Sequence, residues 1–140
     1  MPDKELLRFL EAQNQMYLKA LSEIQKGSKE SHWMWFIFPQ LKGLGKSTVA
    51  NYYGISGLKE ATEYLQHPVL GKHLVDISYA LLDIQGKSAY NIFGTPDDIK
   101  LRSSMTLFSK AERADDVFQK VLEKYFDGEP DIKTLKLLHL

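Results

Sequence analysis

Through the first 26 residues the apolar side chains recur at intervals of three and four, and no later stretch alternates apolar and polar residues by twos at any length. Leu6, Leu7, Leu10, Gln13, Met16, Tyr17, Ala20, Leu21 and Ile24 therefore stack on one face of a helix. The spacing predicts a helix over residues 4–26, with Asp3 capping its start and Gly27 providing a left-handed stop. A chain that opens this way and offers no strand pattern must bury its apolar stripes helix against helix.

The remaining segments agree with that constraint. Trp33 to Phe38 is entirely apolar, a pattern that suits a short buried helix or strand equally. Ser31 before it and Pro39 after it favour a helix of two turns, since the residue preceding proline avoids helical geometry. Short helices are read from Ser47 (STVANYYG) and from Ser56 through LKEATEYLQ. A long one follows from Pro68 as first helical residue to a stop at Gly86, with Leu70, Leu74, Ile77, Leu81 and Ile84 inward. In TPDDIKLRSSMTLFSKA, Thr95 is read as the cap and Pro96 as the first helical residue. Asp97 and Asp98 then lie near the positive end of the dipole, and Ile99, Met105 and Phe108 face inward. Asp115 to Tyr125 forms a further helix that buries Val117, Val121, Leu122 and Tyr125, and the tail DIKTLKLLHL adds a last turn or two. The expected fold is all-α: one multihelical domain of about six to seven helices spanning residues 1–140.

Composition narrows the function classes. Lys plus Arg equal Asp plus Glu at 18 each, so no global basic field attracts nucleic acid or an anionic membrane, and neither is expected as a partner. The chain has no cysteine, which removes disulfides, thiolate zinc sites and thiol nucleophiles together. The charged, amphipathic N-terminus does not read as a signal peptide, and no stretch reaches the roughly 20 apolar residues of a membrane span. These features predict a cytoplasmic protein.

Three groups of residues attract chemical interest. GLGKST invites comparison with a phosphate-binding P-loop, but the required glycine five positions before Gly45 is Gln40, and Thr48 stands where a dinucleotide fingerprint needs its third glycine. The loop amides with Lys46 and Ser47 still suit a lone phosphate. Second, His32 stands beside Trp33 and Trp35: the imidazole is a candidate acid or base, and the indoles can stack on a flat ligand. The alternative is that these rings, with Phe36 and Phe38, simply build core. Third, Asp97, Asp98, Lys100, Arg102, Ser103 and Ser104 form a polar cluster. Its carboxylates can cap a helix, but consecutive hydroxyls in SSMT weaken helix propensity without an evident packing return. His67, His73 and His139 lack ligand spacing, so no metal is expected, and nothing calls for a cofactor.

SHWMWFIFPQLKGLGKS, EATEYLQHPVLGKHL and IFGTPDDIKLRSSMTLF, in that order, resemble the family called domain of unknown function 1810, small bacterial and fungal proteins. The resemblance runs from about Leu6 to Leu135 and implies a compact all-α fold without an assigned activity. In layout the chain is also similar to NADAR (YbiA-like) proteins, which act on N-glycosidic or ADP-ribose-linked substrates. No residue aligns well enough to carry a role across. Two functions follow as expectations. One is a protein that binds or hydrolyses a nucleotide-like small molecule, with His32 and Asp98 catalytic and Trp33, Trp35, Gln40, Lys46, Ser47, Lys100, Ser103 and Ser104 on the ligand. The other is a non-catalytic interaction module that uses the Trp33–Phe38 and Gly43–Gly45 surface. Oligomeric state is not readable from the residues.

Overall fold

In the computed structural model, which describes the backbone of residues 2–140 and side chains from Glu5 onward, the first element is the long helix the periodicity predicts, α1 (Pro2–Lys26). Asp3, expected as the cap, falls within α1, after its first residue, and its side chain lies outside the described ones. Gly27 closes α1 at φ +76°, a conformation that costs glycine little. Leu6, Phe9, Ala20 and Ile24 are buried along its inner face, whereas Leu7 is 48% exposed and falls outside the stripe.

The described residues contain nine helices and no strand, more than the six to seven expected. After α1 come α2 (Met34–Ile37), α3 (Thr48–Tyr52), α4 (Leu58–Gln66), α5 (Leu70–Asp83) and α6 (Ala89–Phe93). The chain ends in α7 (Asp97–Ser109), α8 (Val117–Phe126) and α9 (Ile132–Leu137). Only five have seven or more residues, and the excess lies in single turns too short for a periodic signal. α6 is one such turn. It is held by a capping box in which Ser88 Oγ accepts from the Asn91 N–H and the Asn91 side chain accepts from the Ser88 N–H.

Several predicted helix starts move by one or two residues. α5 begins at Leu70 rather than Pro68, with His67 Nδ1 accepting the N–H of Val69 (3.1 Å) and of Leu70 (3.3 Å). α7 begins at Asp97 with Pro96 at the cap position and the Thr95–Pro96 bond cis, so Thr95 does not cap it. Asp115 Oδ1 accepts the Val117 N–H and the Tyr79 hydroxyl, placing the start of α8 two residues after the expected one. Tyr125 is only half-buried there, and Ile99, expected inside, is 56% exposed.

α7 is the hub. It packs on α4, α6, α8 and α9, while α1 packs on α2, α4 and α5, and α5 also meets α8. One hydrophobic core joins them, with Trp33, Tyr64, Phe9, Phe38, Phe108 and Phe118 among its largest wholly buried side chains. No helix among the described residues is long and apolar enough to cross a membrane.

The SSMT stretch now has a structural account. Ser103 Oγ donates to Asp131 Oδ2 at 3.0 Å, and Thr106 Oγ1 accepts the Asp131 N–H at 2.8 Å. The same Asp131 carboxylate caps α9 through the Thr134 N–H. The hydroxyls therefore fasten the C-terminal helix to the hub. Ser103→Ala is expected to cost about 1 kcal/mol, the usual net worth of such a bond, and to speed amide exchange across α9, read by hydrogen exchange.

Candidate functional site

The segment between α1 and α4 is too short on regular structure to be held by its helices alone. Two backbone hydrogen bonds hold it instead. Ile55 N–H donates to the Gln40 carbonyl at 2.9 Å and Lys42 N–H to the Ile55 carbonyl at 2.8 Å, making a lone parallel bridge between Leu41 and Ile55. At the far end of the loop Ser47 Oγ accepts the Ala50 N–H at 3.0 Å and starts α3. Between these points Gly45 passes so close to α3 that a Cβ there would meet the Ala50 methyl at 2.6 Å.

This folded-back loop, the half-buried face of Trp35 and one side chain from α7 enclose a cavity of about 230 Å³. Trp35, Gln40, Lys46, Ser47 and Lys100 all line it, with Leu41, Gly45, Ala50 and Tyr53 completing the wall. Lys100 Nζ lies over the Trp35 ring, 5.2 Å from its centre. Behind it, Asp97 Oδ1 stands 3.6 Å from Lys100 Nζ, and Asp97 Oδ2 is 2.8 Å from Lys29 Nζ. Tyr53 packs on Phe36 and Phe9, and its phenol is pushed up chiefly by burial, with the neighbouring Tyr52 adding to the effect. It therefore stays a hydrogen-bond donor throughout the neutral range. Nothing local in the sequence marks Tyr53, because its partners Phe9 and Phe36 lie far from it in the chain.

Five of the expected contact residues thus meet at one place, and five do not. Trp33 is wholly enclosed and donates its Nε1–H to Glu23 Oε1 at 2.9 Å, so neither of its faces is open to a ligand. Ser103 is turned to Asp131, and Ser104 is completely buried in the hub with an unpartnered hydroxyl. His32 is exposed and outside the cavity wall. Asp98 is likewise absent from the wall and accepts the N–H of Ile99 at 2.8 Å. Ser31 caps no helix, since its hydroxyl and N–H both go to Glu23 and α2 starts only at Met34, a single turn rather than two.

The burial pattern also corrects the interaction-module expectation. Trp33, Met34, Phe36, Ile37 and Phe38 are all core, leaving only Trp35 of that run partly accessible, so this run does not itself form an exposed apolar patch.

A family model described as "Protein of unknown function (DUF1810)" matches residues 3–138. The chain belongs to this family. Among solved structures, it is similar to the conserved hypothetical protein Rv1873 from Mycobacterium tuberculosis, with 48% identity, 97% of each chain covered and a TM-score of 0.95. No curated protein matches the chain. The DUF1810 assignment accounts for the fold over nearly its whole length and attaches no activity to it.

Proposed function

We propose that this DUF1810 chain binds a small phosphorylated molecule carrying a flat ring, nucleotide-like or ADP-ribose-like, in the cavity between Trp35 and the Lys46–Ser47 loop. The observation that carries the reading is that two lysines, Lys46 and Lys100, line the same cavity as a half-buried indole. A phosphate brings about −1.5 to −2 charge at neutral pH, and two lysines, one from the loop and one from α7, are suited to receive it. Among the described residues no carboxylate pairs with Lys46. Ser47 uses a lone pair as the α3 cap and keeps its O–H to donate. Gln40 has its backbone carbonyl taken by Ile55, while its side-chain amide lines the cavity with both donor and acceptor for a base or sugar edge. At about 230 Å³ the space is smaller than the roughly 300–1,000 Å³ of a typical pocket, so a ring and one phosphate would sit inside and the rest outside.

Binding is favoured over hydrolysis. Cleavage of an N-glycosidic or phosphate bond needs an acid or base within hydrogen-bond reach of the reacting atoms. The two residues expected to provide it, His32 and Asp98, lie off the cavity wall.

The chain has two tryptophans, and only Trp35 reaches the cavity, so fluorescence reads the site directly. Titration with AMP or ADP-ribose should quench the emission, and Trp35→Phe should abolish the change while Trp33 goes on emitting. Lys46→Ala and Lys100→Ala should each weaken binding about ten-fold, the loss of one charge-assisted contact worth roughly 1.4 kcal/mol. Equal affinity in wild type and both lysine variants by calorimetry would sink the proposal, as would no binding at millimolar nucleotide.

A further inference from the structure

We infer that Lys29 is a positioning residue for this cavity: by holding Asp97, it leaves the Lys100 ammonium available to an anion. The inference rests on the phosphate-binding reading above and adds to it a residue outside the cavity wall.

Asp97 and Lys100 are three apart on α7, a spacing at which opposite charges normally pair. Here they do so poorly. Lys100 Nζ stays 3.6 Å from Asp97 Oδ1, beyond ordinary hydrogen-bond length, while Lys29 Nζ lies at 2.8 Å from Oδ2. The two lysines also differ in freedom: the Lys29 side chain is 7% exposed and that of Lys100 is 28% exposed. Lys29 is fixed by other contacts as well. Its N–H donates to the Ile92 carbonyl at 2.8 Å, its ammonium donates to the Ser31 carbonyl at 2.6 Å, and the same ammonium lies 5.0 Å from the centre of the Trp33 ring. A buried ammonium held this way cannot leave, so the carboxylate beside it is committed. Two cations then share one carboxylate, and the surplus charge sits on the mobile one, Lys100, over Trp35 at the cavity wall. Without Lys29, Asp97 would draw Lys100 into a short pair and take its charge away from the ligand.

The test is a double-mutant cycle on the full chain, read as AMP affinity by calorimetry. Asp97→Asn, which removes the competing carboxylate, should tighten AMP several-fold. Lys29→Met should weaken it about ten-fold, and Lys29→Met combined with Asp97→Asn should bind like Asp97→Asn alone. A merely architectural Lys29 would lower affinity by the same factor in both backgrounds, and that result overturns the inference. Wild-type affinity in a folded Lys29→Met also overturns it. Should Lys29→Met fail to fold, Asp97→Asn decides alone, since unchanged AMP affinity there contradicts competition for Lys100. Wild-type protein that binds neither AMP nor inorganic phosphate removes the cavity reading and this role with it. Binding in wild type with an additive cycle removes only the role of Lys29.

Discussion

Gly71→Ala should lower the thermal midpoint by roughly 10 °C, the counterpart of about 3 kcal/mol in a domain of this size. Gly71 lies in the first turn of α5 where that helix crosses α4, and an added Cβ would stand 2.0 Å from the Leu65 carbonyl oxygen and 2.8 Å from its carbon. These are backbone atoms, so no rotamer change relieves the contact. The helices would have to part by more than an ångström, and close-packed interiors do not absorb such a shift cheaply. The neighbours are Leu70, Leu74 and Tyr64, all wholly or almost wholly buried, so the gap would open directly into the core. Alanine normally favours a helix over glycine by about 1 kcal/mol, which makes the sign of the result diagnostic. A midpoint equal to or above wild type by calorimetry would mean that α4 and α5 do not cross at this distance.

The second large effect belongs to Glu23. Its carboxylate is 3% exposed and accepts four hydrogen bonds: Oε1 from the N–H groups of Glu30 and Ser31 and from Trp33 Nε1, and Oε2 from the Ser31 hydroxyl. Through them α1 holds the incoming strap that ends in α2. Glu23→Ala leaves those donors unanswered in a closed space and should cost about 3 kcal/mol or more. Glu23→Gln keeps an oxygen for the three Oε1 donors and lets the Ser31 hydroxyl turn to accept, so it should cost about 1 kcal/mol. Burial alone pushes the Glu23 carboxyl up, but the bonds from the Ser31 hydroxyl, the Glu30 N–H, the Trp33 indole and the Ser31 N–H outweigh it. The net result is about 2, against an ordinary 4.5. The folded state therefore prefers the ionised form, and this stabilisation is fully present above pH 4.5 and lost as pH falls toward about 2. Denaturant midpoints of wild type and Glu23→Gln should accordingly converge over that interval. A constant gap would show that the carboxylate is not ionised in this pocket.

Much of the architecture was legible because long helices advertise themselves. α1 and α5 each place apolar residues at repeating intervals over more than three turns, α7 was signalled by the proline and acidic residues at its start, and the all-α reading needed little else. α6 escaped because five residues carry no period, and its one signal, the Ser88–Asn91 box, is four residues long. Chain separation hid the rest. Ser103 looked like a ligand contact because Asp131, which accepts its hydroxyl, lies 28 residues away. Trp33 and Trp35 looked equivalent until Glu23, ten residues upstream, claimed the first indole. In the cavity, the residues between 35 and 53 were legible as a group because they are close in the chain. That Lys100 joins them and Asp98 does not depends on how α7 docks, which no local pattern encodes.

The bridge at Leu41–Ile55 bears on how tightly anything can bind beside it. Opposite the core-anchored α2, the wall of the cavity consists of a five-residue helix with no buried residue and a largely exposed loop, tied back by two backbone hydrogen bonds. Such a wall belongs to the part of a protein that opens locally without global unfolding. On the proposed reading, only molecules with the loop closed would hold a ligand, and the measured dissociation constant would be the intrinsic one divided by the closed fraction. The close approach of Gly54 to Lys42, outside the cavity wall, would then influence affinity through that fraction. On that reading the shape of the cavity would be part of what a ligand selects.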